Sequence, residues 1–324
     1  MLPTVKTRTR GVIIGKFHPP HRGHSHLIST ALQMCDWLDI LVCQRRDQNI
    51  PGELRAQWLR EMHPQAHVIV VDDPGVGSDS AYWAEQTVRI LGRKPHVVFS
   101  SEIYGERYAE LMGAKHVMVD AERTSIPISA TEIRANPMRH WHYLPAPVRA
   151  HYALRVCIVG AETSGTSVMS RLLADHYNTV WVPGYGREYS ESRIVAQGGN
   201  APWRSEEFMY IAQRQHFYED VIARNANKLV LCDSDALAIC LWHERYMKTW
   251  SDELDELAQT RDYAHYFLTA NTLPHIADPE REWMTQRFKD ELARLNRNFT
   301  VLEGTVEERI HVATAILDGL LKAK

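Results

Sequence analysis

Several things are scarce in this sequence. There are only five cysteines (Cys35, Cys43, Cys157, Cys232 and Cys240), an odd number with no pair at CxxC spacing. That argues against a disulfide framework or a cysteine-built zinc site and fits a reducing compartment. Each cysteine lies in or beside an apolar run, where a small buried hydrophobe is expected. Long apolar runs are missing too. The basic start MLPTVKTRTR leads into a short run at 11–15. No run reaches the roughly 7–15 residues of a signal-peptide core or the roughly 18 of a membrane span. A soluble, cytoplasmic protein with no membrane contact is expected. Neither sign of charge dominates, because 37 Lys and Arg against 40 Asp and Glu leave a net charge of −3. A nucleic-acid-binding surface is therefore not expected. Internal repeats and low-complexity tracts are absent as well.

What is present reads as two α/β domains. The 324 residues, 44% apolar and 24% charged, suit an ordinary globular chain of about two domains. In the first half, strands at 12–15, 38–43, 67–71, 96–100 and 116–119 alternate with helical patterns at 24–35, 54–61, 81–91 and 104–112. Such alternation predicts a doubly wound parallel sheet. Three prolines, Pro137, Pro145 and Pro147, interrupt the pattern and mark a linker. A second alternation follows. Strands are expected at 155–159, 228–232, 266–269 and 299–302, and helices at 168–177, 236–246, 283–295 and 305–321. The domains are placed at 1–150 and 151–324.

The first chemical constellation follows the first strand: Gly15-Lys16-Phe17-His18-Pro19-Pro20-His21-Arg22-Gly23-His24. This is a strand end, a proline-stiffened turn and a helix start, and ligands bind outside the carboxyl ends of such strands. His21 and His24 share a face if the helix has begun. Gly15 and Gly23 let backbone approach a phosphate, and a helix N-terminus favours negative charge. A two-His metal site would need further ligands, and no Asp, Glu or Cys lies close in sequence. Downstream, Ile128-Ser129-Ala130-Thr131-Glu132-Ile133-Arg134 has Ser129 and Glu132 at capping-box spacing. That helix start offers N–H groups, two hydroxyls and Arg134 to an anion.

Together the two strings resemble the nucleotidyltransferase superfamily, whose signatures are GxFxPxHxGH and ISxTxxR. Ser100-Ser101-Glu102, the stretch Val119-Asp120-Ala121-Glu122-Arg123-Thr124, and Trp141-His142-Tyr143-Leu144-Pro145 are similar to the bifunctional NadR type. That type joins a nicotinamide mononucleotide adenylyltransferase to a ribosylnicotinamide kinase. The resemblance implies transfer of AMP from ATP to nicotinamide mononucleotide, giving NAD and pyrophosphate, with Mg²⁺ bridging phosphates. It places His21 and His24 on the triphosphate with Lys16 assisting, and Ser129, Thr131 and Arg134 on the β and γ groups. Gly15, Phe17, His18 and Gly23 complete the ATP site. Trp83 and Ser101 are candidates for the nicotinamide nucleotide, with core packing as the other reading of Trp83. Some members carry an N-terminal helix-turn-helix domain, for which a first strand near residue 11 leaves no room. The family also suggests a homo-oligomer.

The second constellation is Gly160-Ala161-Glu162-Thr163-Ser164-Gly165-Thr166-Ser167 between strand and helix. It follows the P-loop pattern GxxxxGK[ST] except that Thr166 stands at the lysine position. Ser167 could still bind Mg²⁺ through a phosphate complex. A charge pair at ~4 Å and an effective dielectric of ~20 is worth about 4 kcal/mol. Losing that cation would cost roughly a thousandfold in rate unless another, such as Arg171 or Arg281, replaced it. Asp233 and Asp235, at a strand end, suit Mg²⁺ binding and general-base work, or else helix capping. Gly186-Arg187-Glu188-Tyr189 matches a family string near the riboside site. Asn271-Thr272-Leu273 and Asp278-Pro279-Glu280-Arg281 resemble a lid in which Arg281 contacts phosphate. The second domain is either a ribosylnicotinamide kinase or a nucleotide-sensing module, and the first could serve another acceptor.

Overall fold

The computed structural model describes residues 8–77, 79–199, 201–270 and 279–323. The segment Asn271-Thr272-Leu273 and Asp278 therefore lie outside the described residues. The chain divides into two compact units, 1–148 and 149–324.

In the first unit the strands are β1 (Arg10–Gly15), β2 (Trp37–Gln44), β3 (His67–Asp72), β4 (Val97–Ser100) and β5 (Lys115–Met118). The helices are α1 (Arg22–Met34), α2 (Gly52–Met62), α3 (Ser80–Leu91), α4 (Tyr104–Met112) and α5 (Ala130–Ala135). All five strands are parallel, in the order β3-β2-β1-β4-β5. Because side chains alternate along a strand, Ile13, Ile40 and Val42 enter one core, with Leu27 and Ile28 of α1. Their neighbours Val12, Ile14, Leu41 and Cys43 enter the other, with Trp83 and Tyr108. Both faces of the sheet are thus covered, which is why its strands read as unbroken apolar runs.

A 3₁₀ turn at Trp141–Tyr143 and α6 (Ala146–Tyr152) occupy the proline-rich stretch read as a linker. Pro147 is tolerated there because the first turn of a helix has no use for its N–H.

The second unit contains β6 (Leu154–Gly160), β7 (Val180–Val182), β8 (Leu229–Asp233), β9 (His265–Thr269) and β10 (Phe299–Leu302). Its helices are α7 (Thr166–His176), α8 (Tyr185–Gln197), α9 (Ser205–Ile222), α10 (Ala236–Met247), α11 (Asp252–Gln259), α12 (Pro279–Arg294) and α13 (Val306–Lys322). This parallel sheet runs β10-β9-β6-β8-β7. Its core gathers Val156, Ile158, Leu229, Leu231 and Phe267 against Leu173 of α7 and Leu317 of α13. The sequence pattern did not predict β7, α8, α9 or α11. In α8 only Arg193 is buried, and α9 mixes buried Glu207, Gln215 and Glu219 with Phe208, Ile211 and Ala212. An apolar stripe is missing from α8 and is interrupted by polar residues in α9.

In both units the order reverses beside the first strand, with β1 between β2 and β4 and β6 between β8 and β9. A crevice opens at such a switch point, outside the carboxyl ends of the strands. No helix among the described residues is long and apolar enough to cross a membrane.

Candidate active site

The crevice of the first unit is a cleft of about 500 Å³. Its lining includes every residue the sequence assigned there: Gly15, Lys16, Phe17, His18, His21, Gly23, His24, Trp83, Ser101, Ser129, Thr131 and Arg134. The volume falls in the usual range of ligand clefts, about 300–1,000 Å³.

The histidine pair is built by the start of α1. His21 is the N-cap, and its Nδ1 accepts from the Gly23 N–H at 3.1 Å. His24 reaches back, its Nδ1 accepting from the His21 N–H at 3.3 Å, so two imidazoles form a reciprocal capping box. A ring nitrogen that accepts carries no proton, so each neutral ring is protonated at Nε2. The rings lie 3.8 Å apart between centroids, and Phe17 sits 4.9 Å from His24. Burial, with the Arg123 guanidinium added, lowers the His21 pKa to about 4. Burial also holds His24 well below the ordinary histidine value, with smaller contributions from His21 and Arg123. Both rings are neutral Nε2–H donors at neutral pH.

The second string closes the same cleft. Ser129 caps α5, accepting from the Glu132 N–H at 3.2 Å while its own N–H donates to the Glu132 carboxylate at 2.8 Å. Arg134 donates to Thr131 Oγ1 at 3.0 Å and to the His18 carbonyl, which ties the string to the turn after β1. His18 Nε2 lies 2.8 Å from Asn49 Oδ1, and burial lowers its pKa. Trp83 is 7% exposed in the core and also lines the cleft. Its indole N–H donates to the Gly77 carbonyl at 3.1 Å, fixing the ring.

One arginine was missed, and another was quoted without a role. Arg55, fully buried, donates to the carbonyls of Lys16, Cys43 and Pro51 and to Gln48, pinning the loop after β1. Arg123 lines the cleft. No periodicity distinguishes either from a surface arginine.

In the second unit the loop between β6 and α7 has P-loop form. Gly165 caps α7 at φ 97°, and Thr163 adopts φ 59°. A Cβ on Gly160 would come within 2.3 Å of Thr269 Oγ1 and 2.9 Å of the Thr269 carbonyl oxygen, so only glycine fits. Ser164 Oγ donates to the Ala161 carbonyl at 2.8 Å and lies 2.7 Å from Thr269 Oγ1, closing the loop. Ser167 Oγ donates to the Asp233 carboxylate. A pocket beside the loop is lined by Thr163, Val168, Glu303, Thr305 and Arg309.

The two acids at the end of β8 part company. Ser234, at φ 79°, turns the chain between them. Asp235 becomes the N-cap of α10, accepting from the Ala238 N–H at 2.9 Å and the Tyr266 hydroxyl at 2.8 Å, with its pKa raised by burial. Only Asp233 faces Ser167, so the sequence expectation of a paired-acid site reduces to a single acid. The Arg171 guanidinium stacks 4.2 Å above the Trp181 ring. Arg281 lies at the start of α12. Arg245, which the sequence did not single out, contacts Glu162 of the loop at 3.4 Å and Glu280 at 2.6 Å.

An aromatic cluster adjoins this region. Tyr189 of the string at 186–189 lies 6.2 Å from Trp203, and Trp203 lies 5.5 Å from Tyr246. Tyr185 and Tyr210 extend the cluster at 6.1 Å. The buried pair Arg193–Glu207, at 3.0 Å, props it up: Tyr189 donates to the same carboxylate and Arg193 stacks 4.3 Å over Trp203.

Comparison with known proteins separates the two units in the same way. Residues 12–136 match the cytidylyltransferase-like family, and residues 155–309 match the AAA domain. Over 95% of its length the chain is 28% identical to the "Trifunctional NAD biosynthesis/regulator protein NadR" of Salmonella typhimurium, spanning 80% of that protein. The Escherichia coli protein of the same name is 28% identical over 84% of this chain and 71% of its own. The chain is similar to NadR over most of its length. Its fold is that of NadR as well. A NadR crystal structure in complex with NR superposes with a TM-score of 0.75 at 19% identity, covering 96% of both chains. A NadR structure with NAD and AMP-PNP gives 0.71 at 19% identity, again over 96% of each. This NadR-like chain therefore joins a nucleotidyltransferase-type unit to a P-loop kinase-like unit.

Proposed function

We infer that the first unit transfers AMP from ATP to nicotinamide mononucleotide, giving NAD and pyrophosphate. One observation carries this reading: Lys16, His21, His24, Ser129, Thr131, Arg134 and Trp83 all line a single cleft at the switch point of the sheet. The names of the NadR relatives support the pyridine-nucleotide substrate.

The reaction needs no covalent enzyme intermediate. A 5′-phosphate oxygen of the mononucleotide forms a bond to the α-phosphorus of ATP. The bond from that phosphorus to the bridging oxygen breaks, and pyrophosphate leaves with the electron pair. The Nε2–H groups of His21 and His24, with Lys16 and Arg134, meet the negative charge that grows on these oxygens. Because Nδ1 of each ring is held by backbone, the donors are oriented before substrate arrives. The hydroxyls of Ser129 and Thr131 hold the leaving group, and Trp83 offers a ring face to the nicotinamide, with Ser101 nearby. Among the described residues no group of three or more His, Cys, Asp or Glu side chains could hold a metal alone. Mg²⁺ would enter with the phosphates and neutralise their charge.

The second unit is read as a ribosylnicotinamide kinase. The pocket beside the P-loop takes a nucleoside triphosphate, and the aromatic cluster suits a pyridinium ring, which cation–π attraction favours. The Ser167 hydroxyl and Asp233 carboxylate, hard oxygen donors already in contact, fit Mg²⁺ with its phosphates. Asp233 is also the group to accept the riboside hydroxyl proton. Thr166 favours a second reading, a nucleotide-sensing unit that binds without transferring phosphate. The protein works in the cytoplasm in either case.

The test is product analysis of the intact chain with Mg-ATP and, in parallel, nicotinamide mononucleotide or ribosylnicotinamide. NAD from both substrates supports both units. NAD from the mononucleotide alone favours the sensing reading. No NAD from the mononucleotide overturns the first assignment, and a different adenylylated acceptor would redirect it.

A further inference from the structure

The P-loop of the second unit has Thr166 where a cation would reach the β and γ phosphates. Arg245, near the end of α10, lies at the edge of that loop. One guanidinium nitrogen is 3.4 Å from the carboxylate of Glu162, the third loop residue, and another is 2.6 Å from Glu280 at the start of α12. The same group lies 5.1 Å over the Trp242 ring and 5.7 Å over Tyr246. Tyr246 belongs to the aromatic cluster, 5.5 Å from Trp203. Arg245 thus touches the phosphate loop on one side and the aromatic cluster on the other. If the kinase reading holds, the transferred phosphoryl group passes between those two.

We propose that Arg245 is the cation this P-loop lacks, exchanging Glu162 and Glu280 for phosphoryl oxygens of the bound nucleoside triphosphate. The proposal rests on the kinase reading of the second unit. The exchange is cheap because both carboxylates are well exposed, at 47% and 65%, and ion pairs with exposed partners hold weakly. The Arg245 side chain itself is only 16% exposed, so its charge acts in a partly desolvated place. Stacking on Trp242 and Tyr246 keeps the guanidinium near the loop after the carboxylates let go. In the transfer step the riboside hydroxyl oxygen bonds to the γ-phosphorus and its proton passes to Asp233. The bond from γ-phosphorus to the bridging oxygen breaks, and ADP leaves with the electron pair. Arg245 supplies the charge that a loop lysine would place on the γ group and the bridging oxygen.

The experiment follows γ-labelled phosphate from ATP into ribosylnicotinamide with the full chain. The first unit cannot produce this signal, because it releases the γ-phosphate within pyrophosphate. Arg245→Ala is expected to lower kcat by at least about a hundredfold, the scale of one lost charge-stabilising donor, with little change in KM for the riboside. Arg245→Lys should fall between, and Thr166→Lys in the Arg245→Ala background should restore most of the rate. Unchanged transfer in Arg245→Ala overturns the proposal. So does a loss that Thr166→Lys leaves in place, which assigns Arg245 to folding, or one that Glu162→Gln relieves, which assigns it to neutralising that acid. If wild type is silent and Thr166→Lys is active, the proposal falls and the kinase reading stands. If both are silent, the kinase reading itself falls.

Discussion

At the scale of single residues, the chemistry of this chain depends on how backbone fixes side chains. The histidine pair shows this best. His21 and His24 cap the helix with Nδ1, so the proton of each neutral ring sits on Nε2. His24→Ala is expected to lower adenylyl transfer by about 10²–10³-fold, as for loss of one oriented donor, with smaller change in KM. Steady-state kinetics with nicotinamide mononucleotide would show it, and unchanged kcat would remove His24 from the site. The buried rings also set a pH dependence. His21 titrates near 4 when folded against 6.5 as the ordinary value, so the unfolded chain binds the extra proton between those limits. The stability from keeping His21 neutral is complete above about pH 6.5 and is lost as pH falls toward 4, an upper bound of about 3 kcal/mol. Denaturant titrations of wild type and His21→Asn, an alternative cap, should converge as pH drops through that window. Parallel curves would contradict the assignment.

At the scale of elements, turns carry more of the function than helices or strands. The P-loop closes only because Gly160 has no Cβ where Thr269 approaches. Gly160→Ala should destabilise the second unit by about 1–3 kcal/mol, the usual cost of overpacking, and abolish riboside phosphorylation while sparing adenylyl transfer. Equal loss of both activities would argue against the separation. The α5 cap is the counterpart in the first unit. Ser129→Ala removes a capping box and should cost about 1 kcal/mol together with a drop in adenylyl transfer, readable as a lower melting temperature and a raised KM for ATP. Elements also explain what the sequence concealed. The GKFHPPHRGH and ISATEIR strings were legible because each combines a strand end or cap with unusual side chains in fixed order. By contrast α8 buries only Arg193, and α9 mixes Glu207, Gln215 and Glu219 with Phe208, Ile211 and Ala212, so buried polar groups held by partners elsewhere in the fold blur the hydrophobic period.

At the scale of the whole molecule, two parallel sheets on one chain each reverse strand order beside their first strand. The units 1–148 and 149–324 have separate cores. Ligands are therefore expected to act on them separately. Nicotinamide mononucleotide at about a hundred times its Kd should raise the stability of the first unit by about 2.7 kcal/mol. Calorimetry would register this as an upward shift of one transition, with the other moving only on addition of the riboside. A single transition shifted equally by either ligand would show that the units unfold together.

By itself the sequence determined the class of fold and named the two strings that line the first cleft. Apolar runs alternating with helical periods specify parallel sheets, and local strings with a capping or turn signature specify phosphate-binding loops, because both depend on neighbours in the chain. It also recorded that Thr166 breaks the P-loop pattern. Only the tertiary structure decided which charges meet across the fold. It parted Asp233 from Asp235 through the left-handed Ser234, spent Arg171 on Trp181, buried Arg55 under the loop after β1 and brought Arg245 to Glu162. Each of these is a meeting of residues far apart in sequence or a turn of one backbone angle. Neither leaves a trace in composition or period, since the physical cause is packing between elements rather than the propensity of any one of them.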